Sequence, residues 1–173
     1  MPVGIHTPED ILLADIVNTA TRSRMMAGIK GRDTRPETTL RKALHRRGLR
    51  YRLHASELPG RPDIVLPRHR AVILVHGCFW HRHSCYLTAT PASNQEFWQA
   101  KFAGTVQRDA RQAQYLVDLG WRVATVWECA LRDAGPEVVA DELVAWLASL
   151  GITVDIPATP DATRPSKRPA RER

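Results

Sequence analysis

The sequence has few cysteines and no long apolar run, and each of these two shortages excludes a class of protein. Only three Cys occur among 173 residues, and a small odd number argues against a secreted disulfide scaffold and for a reducing compartment. No apolar run approaches the roughly 20 residues of a membrane span, and the N-terminus lacks a signal-peptide pattern. We therefore expect a cytoplasmic protein that has no membrane partner.

Positive charge is concentrated in one part of the chain. Of 25 basic residues, 21 are Arg, and the net charge is +7. The segment 21–70 carries 14 basic and 4 acidic side chains. Because Arg makes charge-assisted, often bidentate contacts with phosphate, this segment favours binding to a polyanion such as nucleic acid. A solvated basic face, or a general preference of the genome for Arg, would also explain the count.

Composition divides the chain into three segments. Residues 1–19 are assigned to an N-terminal arm and residues 20–152 to the folded domain. Residues 153–173 are assigned to a disordered basic tail, because the last seventeen residues hold four Pro and almost no large apolar side chain. About one domain is the expectation for this length.

Apolar periodicity in the middle segment predicts an α/β domain with a mixed sheet. The expected elements are a helix between Thr34 and Gly48, strands at 64–66 and 71–75, a helix capped by Ser93 and Glu96 that ends at Gly120, a strand at 121–127, and a helix between Pro136 and Gly151. The four-residue connection between the first two strands predicts an antiparallel hairpin.

The segment 76–85, HGCFWHRHSC, holds three His and two Cys. The third cysteine, Cys129, follows the predicted strand at 121–127. Cys78, Cys85, Cys129 and one His would form a closed tetrahedral site, and these ligands suit Zn²⁺. Spacing does not decide whether His81 or His83 is the fourth ligand. The alternative is three buried free thiols.

A second group of residues indicates catalysis with Mg²⁺. Asp63 follows Pro62 at the entrance of a predicted strand, where a carboxylate can face a metal ion above the sheet edge. This is the outline of a large nuclease superfamily, but the usual Glu-x-Lys of the next strand is missing. Val75 offers only its backbone carbonyl there, and His76 stands in place of the Lys.

Five further side chains have a structural and a functional interpretation. Glu37 and Asp109 are surface acids by default, although a carboxylate such as Asp109 can orient a catalytic His. Phe79 and Trp80 are adjacent aromatics that either pack on the zinc site or stack between bases. Met26 would approach the bases from the opposite side, unless it is a core residue.

These features together resemble the very short patch repair (Vsr) mismatch endonucleases. The resemblance covers about residues 20–132, and the run 76–87 is its most specific part. The matching segments are 20–26 (ATRSRMM), 32–34 (RDT), 58–63 (LPGRPD), 76–81 (HGCFWH), His83, 85–87 (CYL), 96–98 (EFW), 108–109 (RD), 120–123 (GWRV) and 126–131 (VWECAL).

The resemblance implies a PD-(D/E)xK restriction-endonuclease-like core, with a central mixed sheet flanked by helices and a structural zinc site. It implies that Asp63 and the carbonyl of Val75 hold Mg²⁺, that His81 is the base, and that His83 therefore joins Cys78, Cys85 and Cys129 on zinc. The implied supporting residues are His76, Asp109 and Glu37 for catalysis and Met26, Phe79 and Trp80 for contacts with DNA.

The implied function is a nick in one strand, 5′ to the T of a T:G mismatch that arises from deamination of 5-methylcytosine. The implied partners are double-stranded mismatched DNA and a MutL-type repair protein, and the implied setting is a monomer on the bacterial nucleoid. Three alternatives stay open: a related zinc-stabilised nuclease with another DNA target, a mismatch-binding module without cleavage, and a hydrolase with an open catalytic zinc.

Overall fold

The computed structural model describes residues 31–158. It contains five α-helices and five strands in the described range. In chain order they are α1 (Arg35–Arg46), β1 (Arg52–Leu53), β2 (Ile64–Leu66), β3 (Ala71–His76), α2 (Cys78–His81), α3 (Gln95–Asp118), β4 (Arg122–Trp127), α4 (Glu128–Asp133), α5 (Pro136–Ala148) and β5 (Thr153–Ile156). No described helix is long and apolar enough to cross a membrane.

The five strands form one mixed sheet in the order β1-β2-β3-β4-β5. β2 pairs with β3 as an antiparallel hairpin, in which Ile64 lies opposite Ile73. β3 and β4 are parallel, and so are β4 and β5. The predicted mixed sheet and its hairpin are confirmed.

The start of α1 follows directly from its sequence. Thr34 is the N-cap, and it forms a reciprocal capping box with Glu37, which satisfies backbone N–H groups that have no partner inside the helix. Leu40 and Leu44 are fully buried on one side of the helix. Gly48, at φ +80°, lies just past the end of the helix, as the sequence predicts.

Helices cover both faces of the sheet. On one face, α1 and α5 supply Leu40, Leu44 and Leu143 to a core that includes Ile73 and Val126. On the other face, α3 packs Leu116 against a smaller cluster on the sheet. Because successive side chains of a strand point to opposite faces, Val72 belongs to this second cluster and Ile73 to the first. The predicted α/β arrangement, a central sheet flanked by helices, is confirmed.

Two predicted boundaries are wrong. Thr153–Ile156 forms β5 and pairs with β4, so the sheet extends past residue 152 and these four residues do not belong to a disordered tail. The helix α3 begins at Gln95 after Asn94, and the φ of +52° at Asn94 places the start one residue beyond the predicted cap at Ser93. The predicted arm at 1–19, Met26 and the tail beyond residue 158 lie outside the described residues.

Candidate active site and metal centre

The site residues are gathered at one edge of the sheet, where β3 and β4 end. His76 and Trp127 are paired at the last register position of these two parallel strands. Each strand is followed within two residues by a cysteine, Cys78 after β3 and Cys129 after β4. Parallel strands present their carboxyl ends at the same edge, so this topology brings together residues that lie about fifty positions apart in the sequence.

The first cluster at this edge is a buried set of three thiols and an imidazole. The ligand atoms of Cys78, His83, Cys85 and Cys129 all lie within 4.8 Å of one another. The Nδ1 atom of His83 is 3.3 Å from the sulfur of Cys129 and 3.9 Å from that of Cys78. The structure therefore assembles the predicted set and selects His83, rather than His81, as its imidazole.

This donor set fits a zinc ion. Zn–S bonds of about 2.3 Å in a tetrahedron place sulfurs roughly 3.8 Å apart, and all the ligand atoms of the cluster lie within 4.8 Å of one another. Burial raises the pKa of the Cys78 thiol, and it raises the pKa of Cys129 to about 11. Because burial disfavours the thiolates in the absence of a metal, a bound cation would supply the missing positive charge. Four protein ligands leave no open position, which is typical of a structural site.

Two residues that sequence reasoning left without a role hold this cluster in place. The ring of Trp127 stacks on His83 with centroids 4.4 Å apart and an interplanar angle of 15°. The hydroxyl of Thr88 donates a hydrogen bond to the carbonyl of His83, and it lies 3.2 Å from the carbonyl of Cys78. The role of Trp127 could have been predicted from its position at the end of a strand, two residues before Cys129. Nothing in the sequence indicates the role of Thr88.

Asp63 lies beside β3, just before β2 begins. Its Oδ2 accepts a hydrogen bond of 2.8 Å from the backbone N–H of Val75, and its Oδ1 has no partner among the described residues. Burial raises the pKa of Asp63 to about 6, and the charge of Glu37 acts in the same direction. A poorly solvated carboxylate with a free oxygen is a good ligand for a hard cation, so Asp63 and Val75 fit the predicted Mg²⁺ position.

A second cluster joins His76, His81 and Asp109. The Nδ1 of His81 is 2.5 Å from Oδ2 of Asp109 on α3. The rings of His76 and His81 are stacked, 3.9 Å apart and within 6° of parallel. Asp63 therefore connects to Asp109 through an unbroken series of neighbours, from Val75 to the adjacent His76 and on to His81.

Electrostatics assign different charge states to this second cluster. Burial, together with the smaller effect of the nearby His81, lowers the pKa of His76 to about 3, so His76 is neutral at physiological pH. Burial is the largest influence on the pKa of Asp109 and raises it, but the hydrogen bond to His81 and the positive charges nearby together outweigh burial, and the net shift is downward. Asp109 is thus an anion held against the ring of His81, the arrangement that orients a catalytic imidazole.

Glu37 is nearly fully buried on α1, although an acid on a helix surface is usually exposed. Besides its part in the capping box, it accepts a hydrogen bond of 2.7 Å from the guanidinium of Arg41. Sequence reasoning placed Glu37 near the site but missed Arg41, because an Arg in a basic segment gives no signal of burial.

Phe79 and Trp80 belong to a half-buried aromatic cluster on α2 and α3. Phe79 makes edge-to-face contacts with Trp80 at 4.9 Å and with Phe102 at 5.3 Å. Trp98, which sequence reasoning gave no role, stacks on Phe102. The Nζ of Lys101 lies 5.5 Å from the ring centre of Trp80. The cluster is therefore an aromatic surface beside the second cluster, with a cation at its edge.

Comparison with known proteins identifies the family of this chain. The family model for DNA mismatch endonuclease Vsr matches residues 14–87. The DNA mismatch endonuclease Vsr of Escherichia coli (strain K12) is 46% identical over 149 residues, which cover 83% of this chain and 94% of that protein. The chain belongs to the Vsr DNA mismatch endonuclease family. The family predicted from the sequence is confirmed.

Other Vsr relatives carry names of nicking enzymes. The type II nicking enzyme V.XorIIP of Xanthomonas oryzae pv. oryzae is 43% identical over 71% of this chain and 90% of its own length. The type II nicking enzyme V.NaeI of Lentzea aerocolonigenes is 36% identical over 69% of this chain and 75% of its own length. The similarity thus extends over more than two thirds of this chain in each case.

Proposed function

We propose that this protein is a Mg²⁺-dependent DNA mismatch endonuclease that nicks one strand 5′ to the T of a T:G mismatch. The mismatch would arise by deamination of 5-methylcytosine, and the nick would begin very short patch repair. The observation that carries the proposal is the short contact between His81 and Asp109, on a ring stacked against His76 and next to the strand that holds Asp63. Membership of the Vsr family supports it.

Asp63 and the carbonyl of Val75 would hold Mg²⁺ at the end of β3. When bound, the ion would polarise the scissile phosphate and stabilise the charge that develops there. The protein's own contribution is to fix the carboxylate: the N–H of Val75 holds one oxygen and leaves the other for the metal.

His81 would accept the proton of the attacking water at the ring nitrogen opposite Nδ1. Asp109 fixes the orientation of this ring and stabilises its protonated form through the 2.5 Å contact. His76, kept neutral by burial, would donate a hydrogen bond to the phosphate. The site thus divides proton transfer and phosphate contact between two stacked imidazoles.

The hairpin β2–β3 with Asp63 at its entrance supports assignment of a PD-(D/E)xK restriction-endonuclease-like core. The usual Glu-x-Lys is replaced by Val75, His76 and Gly77, so the second carboxylate and the Lys are absent from this strand. In our proposal, His81 supplies the basic function that the missing Lys serves elsewhere. Zinc on Cys78, His83, Cys85 and Cys129 would hold α2 in place.

Selectivity for the mismatch would come from the aromatic surface. A T:G wobble pair stacks and pairs less well than a matched pair, so opening the helix beside it costs less. Phe79 and Trp80 would enter there, with Met26 on the opposite side. The edge-to-face packing of Phe79 and the cation of Lys101 beside Trp80 support a preformed wedge.

We further propose a monomer that acts on the nucleoid in the bacterial cytoplasm, with an N-terminal arm at 1–19 and a MutL-type repair protein as a partner. A nick in one strand requires one active centre, which favours the monomer. An experiment that measures mass in solution and nicking on the same sample tests whether the active species is a monomer.

A nicking assay tests the central proposal. End-labelled duplexes with T:G or T:A at one position are incubated with the protein and Mg²⁺, and Asp63→Ala and a chelator serve as controls. We expect one cut, 5′ to the mismatched T, which is lost in both controls. Equal cutting of the T:A duplex would indicate a related nuclease with another target, and binding without cutting would indicate a recognition module; either result would overturn the proposal.

A further inference from the structure

The buried side chain of Arg41 lies at the centre of a third cluster, at the start of α1. Its Nη1 donates to Asp33 Oδ1 at 2.5 Å, and its Nη2 donates to Glu37 Oε2 at 2.7 Å. The Nε2 of His54 is 3.2 Å from the same Nη2. Arg41 is only 6% exposed, and its Nε has no partner in the described part of the chain.

The three residues around Arg41 would make a metal site without it. The ligand atoms of Asp33, Glu37 and His54 lie within 4.8 Å of one another. Two carboxylates and an imidazole are ligands that suit Mn²⁺ and related divalent cations. The terminal nitrogens of Arg41 contact all three of them, so the guanidinium occupies the place where a cation would be bound.

Arg41 also completes the hydrogen bonding of Glu37. Oε1 of Glu37 accepts from the hydroxyl of Thr34 at 2.7 Å and from its backbone N–H at 3.3 Å. Oε2 accepts from the backbone N–H of Asp33 at 3.0 Å and from Arg41. Each oxygen therefore accepts two hydrogen bonds. Neither oxygen has a lone pair left to contact a metal ion or a water molecule bound to that ion.

We propose that Arg41 is a positioning residue whose guanidinium takes the place of a divalent cation between Asp33, Glu37 and His54. It holds Glu37 in the first turn of α1 and leaves Asp63 as the carboxylate that binds metal at this edge of the sheet. The effect of Arg41 on nicking rests on the proposed function, but the occupation of the cation position by its guanidinium does not.

The cluster lies close enough to Asp63 to affect it. After burial and the hydrogen bond from Val75, the charges that act on the pKa of Asp63 are those of Glu37, His54 and Arg41. Glu37 raises that pKa, whereas His54 and Arg41 lower it. Arg41 therefore offsets the negative charge that Glu37 would otherwise place beside the Mg²⁺ ligand.

The experiment counts bound Mn²⁺ by electron paramagnetic resonance in zinc-loaded protein that carries Asp63→Asn. This background removes the proposed Mg²⁺ ligand, so a failure of this proposal can be told apart from a failure of the proposed function. The test variant adds Arg41→Met, which removes the guanidinium and leaves Oε2 of Glu37 with a single donor, the backbone N–H of Asp33. Arg41→Lys keeps a positive charge, and the double change Glu37→Gln with Arg41→Met removes a carboxylate as well.

We expect one additional Mn²⁺ per chain in the Arg41→Met protein and none in the Arg41→Lys protein or the double variant. We also expect Mn²⁺ to raise the melting temperature of the Arg41→Met protein alone. A folded Arg41→Met protein that binds no additional Mn²⁺ would overturn the proposal. So would an Arg41→Met protein that stays unfolded in Mn²⁺ while the double variant folds, because the cluster would then need its arginine and accept no metal.

Nicking with Asp63 intact supplies the second measurement. We expect Arg41→Met to lower the single-turnover rate by about tenfold or more, as is usual when a residue that orients a metal-site group is lost. Arg41→Lys should recover most of that rate, because the charge beside Glu37 is restored. Equal loss in both variants would mean that the shape of Arg41, rather than its charge, is what matters, and would overturn its role as a replacement cation.

Discussion

The raised pKa of Asp63 predicts that removing its charge stabilises the metal-free protein. In Asp63→Asn the side chain keeps an oxygen that can accept the hydrogen bond from Val75. It loses the negative charge, whose burial raises the pKa of Asp63 from 3.8 to about 6. We therefore expect the variant to be more stable than the natural protein but unable to nick.

The sign and size of the effect follow from linkage. Below pH 3.8 the carboxyl is protonated in the folded and unfolded states, and the substitution should change little. Between that pH and about 6 the unfolded chain loses its proton first, so the natural protein loses stability as the pH rises. The shift is about two pKa units, which is about 3 kcal/mol at neutral pH and roughly 6–12 °C in melting temperature.

Thermal unfolding at several pH values, with and without Mg²⁺, measures this effect. We expect the advantage of Asp63→Asn to appear as the pH rises through about 4–6 and to level off above that. Mg²⁺ should stabilise the natural protein and leave Asp63→Asn unchanged, because the ion offsets the buried charge only where the carboxylate is present. Asp118→Asn, at an exposed position on α3, is the matched control and should alter neither curve.

Two results would refute the reasoning. An Asp63→Asn protein that is less stable than the natural one at about pH 8 would show that the carboxylate is not held under an electrostatic penalty. Equal stabilisation of both proteins by Mg²⁺ would show that the ion binds elsewhere. The first result concerns burial and the second concerns metal position, so the two parts of the argument are separable.

Three other expectations concern the remaining parts of the site. Cys129→Ala should lose its zinc and unfold, as measured by metal analysis and circular dichroism; a soluble, folded Cys129→Ala protein would contradict the structural role. Asp109→Asn should slow single-turnover nicking about 10–100-fold. It should also lower stability at neutral pH, because the lowered pKa of Asp109 means that the folded protein favours its ionised form. Asp118→Asn, exposed on the same helix, should do neither, and similar nicking rates for the two variants would remove the role of Asp109. Trp80→Ala should weaken binding to T:G duplex by about 1–3 kcal/mol and leave matched duplex unaffected, which a fluorescence titration would detect.

Local signals allowed much of the fold to be predicted from the sequence. The expected start at Thr34 is the N-cap that the structure gives to α1. The hairpin follows from two short apolar runs and the turn between them. β5 was missed because four residues next to a Pro-rich segment have no local reason to be extended. They form a strand only because β4 offers a parallel partner, which is information about distant residues.

The metal cluster shows where the sequence alone was insufficient. Composition identifies the three Cys, but His81 and His83 are equally well spaced from them. The structure separates the two at Arg82, whose φ of +59° ends α2. The helical turn before it directs His81 toward Asp109, and the reversed backbone directs His83 toward the sulfurs.

The count of basic residues overstated the charge available for DNA. Arg41 is buried among acids, and Arg47 pairs with Glu137 and Asp141. Arg70 donates to the carbonyls of Leu119 and Gly120 at the end of α3. Three arginines of the basic segment thus serve the fold, a distinction that depends on contacts across the chain and is absent from the sequence.

The single turn of α2 has a consequence for how substrate choice and cleavage are connected. Phe79, Trp80 and His81 are consecutive residues of that turn, and α3 carries both Trp98, which packs with them, and Asp109, which holds His81. The surface proposed to sense a weakened base pair and the group proposed to activate water are therefore parts of one packed unit. In this arrangement, selection of the mismatch would need no communication between separate sites. A duplex that does not admit the aromatic side chains would also keep its phosphate out of reach of His81.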